Sequence, residues 1–215
     1  MTTAEIADRI QAGDHREVAA GMGRVLDVGC SAGRLLADGY ADSRLGFGAD
    51  IDIDSLCTGH RAHPRLHLCG AKGEALPFAA GSFDLVMSNV AVPYMHIPTA
   101  FAEFARVLKP GGILWLTLHT AALPWGMIPR ANLVGKVYFT YAILNGLLFH
   151  LTQRMVRFPN GLCESFQTEG GVSKALGRIG FTDIEFRRYK KFLVVARRGK
   201  ESRSPRQEPF SHIGR

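Results

Sequence analysis

Residues 24–34 read R-V-L-D-V-G-C-S-A-G-R, and the rest of the chain is organised around this stretch. Val25, Leu26 and Val28 form a short apolar run suited to a buried strand. Gly29 to Gly33 supply a tight turn, and Leu35, Leu36 and Tyr40 open a helical pattern behind it. Strand, glycine turn and helix, in that order, are how an open α/β sheet builds a ligand crevice. The dinucleotide fingerprint G-x-G-x-x-G is not met, because Ser31 and Arg34 stand at the second and third glycine positions. That disfavours a nicotinamide oxidoreductase.

Asp27, near the strand's end, points to a different ligand. A carboxylate beside the turn repels a pyrophosphate but suits a molecule carrying an ammonium and a sulfonium. S-adenosylmethionine is such a molecule. Outward from this turn, R-L-G-F-G-A-D-I-D-I-D at 44–54 reads as a second strand ending in acids. Asp50, 17 residues past Gly33, has the spacing of an acid that accepts from ribose hydroxyls, with Asp52 as its alternative. Asp54 reads as the N-cap of a helix over 55–62.

Arg65 to Gly70 is a third strand and S-F-D-L-V-M-S-N-V a fourth. A helix over 98–108 ends in K-P-G-G, with Lys109 complementing its dipole, and I-L-W-L-T-L-H follows as a fifth strand. T-D-I-E-F-R-R-Y and K-F-L-V-V-A-R-R read as two closing strands. The alternation predicts a Rossmann-like, doubly wound α/β sheet of seven strands, mostly parallel, with an antiparallel C-terminal strand. Residues 3–20 predict one short helix and a loop.

The chain resembles the class I S-adenosylmethionine-dependent methyltransferases of the small-molecule type 11 kind. L-D-V-G-C-S-A-G at 26–33, G-A-D-I at 48–51, E-A-L-P-F at 74–78, S-F-D-L-V at 82–86 and E-F-A-R-V-L-K-P-G-G at 103–112 carry the resemblance. It implies that Asp27, Gly29 and Gly33, with Cys30 and Ser31 between them, line the methionine part of the cofactor. Asp50 and Ile51 would hold the ribose, Gly73 and Glu74 would flank the adenine, and Asn89 would stand between cofactor and substrate. Two residues depart from the family pattern. Ser31 replaces the middle glycine, which a backbone at negative φ tolerates. Lys72 replaces an aspartate that contacts the adenine amino group, and lysine has no acceptor to offer it.

Between strands five and six, residues 120–167 are expected to insert helices over the substrate. Apart from Lys136, residues 131–151 are uncharged and apolar nearly all round. Such a helix is a buried lid over an apolar substrate, a membrane-contacting or dimer face, or a span. Arg130, Arg154 and Arg157 flank it, as they would flank a lipid anchor or any solvated helix end. His96 and His119, following the fourth and fifth strands, are the candidate bases, and Tyr94 a candidate for orienting a hydroxyl. Glu164 is a weaker candidate for the same pocket. Cys57, His60, His63, His67 and Cys69 match no zinc spacing, so no metal is expected.

At 215 residues, with 47% hydrophobic and 21% charged residues, the chain reads as one globular domain over 1–198. Much of the +7 net charge lies after Phe186, and 199–215 reads as a basic, disordered tail. Unpaired cysteines and a polar N-terminus predict a cytoplasmic protein, membrane-associated if the insertion touches lipid. The expected reaction is methyl transfer from S-adenosylmethionine to a small apolar acceptor, such as a hydroxyl of a lipid, quinone or polyketide-like metabolite. A non-catalytic module of the same fold and a nucleic-acid methyltransferase are the rival readings. The second is disfavoured because S-N-V-A-V-P-Y at 88–94 lacks an N-P-P-Y-type tetrad and no aromatic-basic platform appears.

Overall fold

A computed structural model describes residues 1–40, 45–120, 122–158, 163–188 and 192–200. The basic tail expected beyond residue 200 lies outside them. Seven strands form one sheet: β1 (Val25–Val28), β2 (Gly46–Asp50), β3 (His67–Gly70), β4 (Phe83–Asn89), β5 (Leu108–Leu118), β6 (Phe181–Arg187) and β7 (Phe192–Arg198). Their order is β3-β2-β1-β4-β5-β7-β6. The first five pair in parallel, and β7 runs antiparallel between β5 and β6. The doubly wound sheet with its antiparallel closing strand is the expected fold.

Alternation along the central strands sends side chains to two cores. On one face Val25, Leu85, Met87, Ile113 and Trp115 meet α1 (Thr3–Ala12), α2 (His15–Ala20), α3 (Arg34–Tyr40) and α4 (Ile53–Ala62). On the other, Leu26, Val28, Val86, Leu114 and Leu116 meet α5 (Ile97–Val107), α7 (Leu133–Thr152) and α8 (Glu169–Arg178). A shorter α6 (Ala122–Met127) precedes α7 in the insertion. Residues 3–20 thus form two helices, not one helix and a loop. Gly13 at φ 98 ends α1, and Ile6, Ala7, Ile10 and Val18 hold both helices on the sheet.

Two local assignments change. Asp52, not Asp54, caps α4, accepting from the Ser55 N–H at 3.1 Å and its hydroxyl at 2.7 Å. Lys109 lies within β5, and its ammonium sits on Asp84 at 2.8 Å instead of serving a helix end. Arginines after Phe186 find acids elsewhere in the chain: Arg187 bonds Asp8 at 2.8 Å and Arg188 bonds Glu169 at 2.6 Å.

The 103–112 motif positions the cleft by a clamp. Arg106 donates to the carbonyls of Phe78 at 2.6 Å and Leu76 at 2.9 Å and pairs with Glu103 at 2.7 Å. Glu103 in turn accepts from the Leu76 N–H at 2.8 Å. The E-A-L-P-F segment is thereby strapped to α5, and its leading residues face the cleft.

Candidate active site

The strand order reverses between β1 and β4, the place where open α/β sheets bind ligands beyond the carboxyl ends of their strands. A cleft of about 540 Å³ opens there, walled by Val28, Gly29, Asp50, Ile51, Lys72, Gly73, Glu74 and Tyr94 among others. That volume suits a small-molecule site.

The turn after β1 is built for close approach. Gly29 has φ 80, and a Cβ there would run into the Ala91 methyl, so no other residue fits. Ser31 sits at φ 49, not at the negative φ expected, and its N–H donates to Asp50 Oδ2 at 2.7 Å. That charge-assisted bond helps hold a non-glycine residue in the left-handed region. Asp50 Oδ1 accepts from the Asp52 N–H at 2.9 Å, leaving each oxygen a lone pair toward the cleft. Ile51 lies exposed beside it on the cleft wall.

Asp27 is 2% exposed, and its Oδ1 has no hydrogen-bond partner among the described residues. Burial, and secondarily the Asp50 charge, push its carboxyl up to about 7. Cys30 turns its thiol inward against Gly48, and burial raises that thiol; only its backbone stays with the turn. Gly33 closes the turn onto the Cys30 carbonyl at 2.8 Å and packs near Leu66 and Leu68, outside the cleft wall. Asn89, exposed at the end of β4, pairs in register with Thr117 and is likewise not among the wall residues.

Glu74 is committed to the protein. It accepts from the His96 N–H at 3.0 Å and faces Arg157 at 3.6 Å. Lys72 bridges Ala75 through its backbone and contributes to the wall where the adenine end is expected. Met95, Arg157 and Cys163 also line the cleft, none of which was singled out from the sequence as a site residue. Arg157 was noticed only as flanking the apolar run. The chain must return past α7 before that side chain reaches Glu74.

Beyond the cofactor end the candidate bases separate. His119 at the end of β5 lies edge-on to Tyr94, ring centroids 5.4 Å apart; its carbonyl accepts from the Gln167 N–H at 2.9 Å and its N–H donates to Gln167 Oε1 at 3.1 Å. Glu164, nearly buried, accepts the Tyr138 hydroxyl. Burial lowers the His119 pKa while the Glu164 charge opposes it; burial and Glu164 together raise Tyr94. His96 instead precedes α5, its Nδ1 against Thr99 Oγ1 at 2.7 Å; neither histidine is among the cleft-wall residues, and His119 differs by its contact with the wall residue Tyr94. Burial, then Arg157, lower its pKa, with Glu74 opposing. His67 stacks on Phe47 at 4.7 Å, and among the described residues no cluster of His, Cys, Asp and Glu could hold a metal.

The donors present fit S-adenosylmethionine. An orphaned buried carboxylate suits a cationic methionine end, a glycine turn admits close approach, and Asp50 retains acceptors for hydroxyls.

Comparisons agree with that chemistry. Residues 26–116 match the family described as a methyltransferase domain, type 11. The demethylmenaquinone methyltransferase of Renibacterium salmoninarum is 39% identical over 183 residues, 81% of this chain and 73% of the relative. The malonyl-[acyl-carrier protein] O-methyltransferase of Enterobacter lignolyticus is 34% identical over 119 residues, and there the chain spans about half of the relative, 47%. The crystal structure of an S-adenosylmethionine-dependent methyltransferase from Mesorhizobium loti shares the fold, with TM-score 0.59, 19% identity and 83% and 91% of the two chains covered. One from Methanosarcina mazei has TM-score 0.56 at 19% identity, covering 83% and 93%. The chain belongs to the class I S-adenosylmethionine-dependent methyltransferases of the type 11 family.

Proposed function

We propose that the protein methylates a small, largely apolar acceptor of the quinone, lipid or polyketide-like class, at a hydroxyl brought beside Tyr94. The observation that carries this reading is the continuity of the cleft from Asp50 to Tyr94, Met95 and Cys163, beside the apolar insertion. The longer match to a relative named for demethylmenaquinone supports a quinone as the class of molecule bound and does not bear on the atom methylated.

Bound S-adenosylmethionine supplies an electrophilic methyl group on a sulfonium. Asp27 would face its positive end, the Gly29–Gly33 turn would approach its methionine part, Asp50 would accept from its ribose, and Gly73 and Glu74 would flank its adenine. Methyl transfer is an in-line displacement, so most of the protein's work is positioning. Tyr94 orients the acceptor hydroxyl, and the neighbouring His119 ring nitrogen takes the proton the acceptor loses. Its lowered pKa keeps that ring neutral near pH 7, as a base requires. Glu164 stabilises the imidazolium that results. His96, bonded to Thr99 and Glu74, positions the start of α5.

Calorimetry with S-adenosylmethionine, and NAD as control, tests the cofactor assignment. Transfer of labelled methyl to a reduced demethylated naphthoquinone, compared with a malonyl thioester, tests the acceptor. Saturable cofactor binding with transfer to the quinol alone supports the reading. Transfer only to the thioester ester-forming carboxyl would replace it with an acyl-group acceptor.

A further inference from the structure

The insertion helix α7 is apolar on both sides, yet only one side is covered. Ala142, Ile143, Asn145, Gly146 and Phe149 are buried. Opposite them Leu133, Val137, Leu144, Leu147 and Leu151 recur three, four or seven residues apart and stand in the open, Leu133 at 79% and Leu151 at 72% exposure. A stripe of that spacing is one continuous helix face. Trp125, 60% exposed, and Met127 extend it from α6. Beside the stripe a groove of about 510 Å³ runs between α7 and Val156, walled by Val137, Tyr141, Leu144 and Leu148.

The charges carried by α6, α7 and their flanking residues are of one sign. From Glu103 to Glu164 the chain contains no acid, whereas Arg130, Lys136 and Arg154 are exposed at the face's ends and flank. In a two-fold pairing of this face with a second copy, these cations would meet one another with no carboxylate from α6 or α7 between them. An anionic lipid surface instead neutralises them and takes up the leucines. Among the described residues no helix is long and apolar enough to cross a membrane, so α7 lies on the surface and does not span it.

We propose that the α6–α7 face rests on an anionic lipid bilayer. The leucine stripe and Trp125 enter the boundary between head groups and chains, Arg130, Lys136 and Arg154 sit at phosphate level, and the groove holds an acyl chain. The inference stands on this face alone and does not depend on which acceptor the cleft takes. The groove and the cleft are nevertheless close, since Val156 walls one and Arg157 the other.

The test uses the two tryptophans of the full chain. Trp115 is 5% exposed, so a spectral change on adding lipid reports Trp125. Vesicles of phosphatidylcholine with phosphatidylglycerol should blue-shift the emission and brominated chains should quench it, while phosphatidylcholine alone should do neither. Trp125→Phe should abolish the shift. Leu144→Ser with Leu147→Ser should weaken partition by about tenfold or more, with thermal unfolding and S-adenosylmethionine affinity unchanged. Absence of any shift with anionic vesicles overturns the proposal. So does partition indifferent to the leucine changes, which would locate the attraction in basic residues elsewhere. A concentration-dependent dimer dissociated by those same changes would assign the face to a second copy.

Discussion

Asp27 is a buried acid whose Oδ1 has no partner among the described residues, and the proposed contact with the cofactor's positive end would make it a proton-linked receptor. Between about pH 4 and its raised value of about 7, the folded protein holds a proton that the unfolded chain has released. This group therefore lowers stability as pH rises through that window and has no further effect above it. A cation bound against Asp27 favours the carboxylate and expels the proton. S-adenosylmethionine affinity should accordingly rise from about pH 5 to pH 8, with proton release visible by calorimetry in buffers of different ionisation enthalpy. Binding that exchanges no proton would remove Asp27 from contact with the cation. Asp50→Ala should weaken cofactor binding by about 1–3 kcal/mol, measured as a dissociation constant. Part of that loss is the Ser31 turn coming free of its anchor. Substituting His119 with Ala should lower turnover without changing cofactor affinity, whereas His96→Ala should leave the pH profile of turnover intact. A His119→Ala enzyme with normal turnover would show that no histidine base is used at that position.

Elements are held to one another by a few close contacts. On α7, Gly146 lies against Phe166, and a Cβ there would come within 2.5 Å of the ring. Gly146→Ala should therefore push the helix from the sheet and cost about 1–3 kcal/mol, read as a lower unfolding midpoint. The clamp from α5 is the second such contact. Arg106→Ala removes charge-assisted bonds to the Phe78 and Leu76 carbonyls and should cost about 2 kcal/mol. It should also raise the dissociation constant for the cofactor, because the clamp fixes the segment led by Glu74, a wall residue of the cleft. Amide exchange at Leu76 in the variant would locate the loosening; unchanged protection there would mean the segment holds without the clamp.

At the scale of the molecule, two cores share one sheet, and the N-terminal helices own much of the second. Ile6, Ala7, Ile10 and Val18 are fully covered against it, and His15 stacks on Trp115 at 5.1 Å. Fully burying a large aliphatic side chain is worth about 1.5–3 kcal/mol, so removing residues 1–20 should consume most of a typical domain's stability. The expected result is aggregation or a broad, early thermal transition. A truncated chain that melts cooperatively and still binds S-adenosylmethionine would make this segment a mere cover.

The strands, the glycine turn and the acids at 27 and 50 were legible in the sequence because each depends on local pattern: apolar runs, a turn that only small residues make, and fixed spacing along one β-α-β unit. The insertion was legible as apolar but not as two-faced, because periodicity vanishes when both sides of a helix are hydrophobic. Only packing revealed that Gly146 and Phe149 face the core while Leu133 and Leu151 face outward. Residues that meet across the cleft were the other gap. Arg157 reaches Glu74, and Tyr94 meets His119, over separations in sequence that no local rule spans. Ser31 shows the same limit at a single residue: its left-handed backbone is held by Asp50, a strand away. Sequence by itself determined the sheet, the family and the cofactor, since these rest on short-range chemistry. Tertiary structure decided that His119, and not His96, lies against Tyr94 and which face of α7 is left uncovered, since both depend on how distant segments close over the sheet.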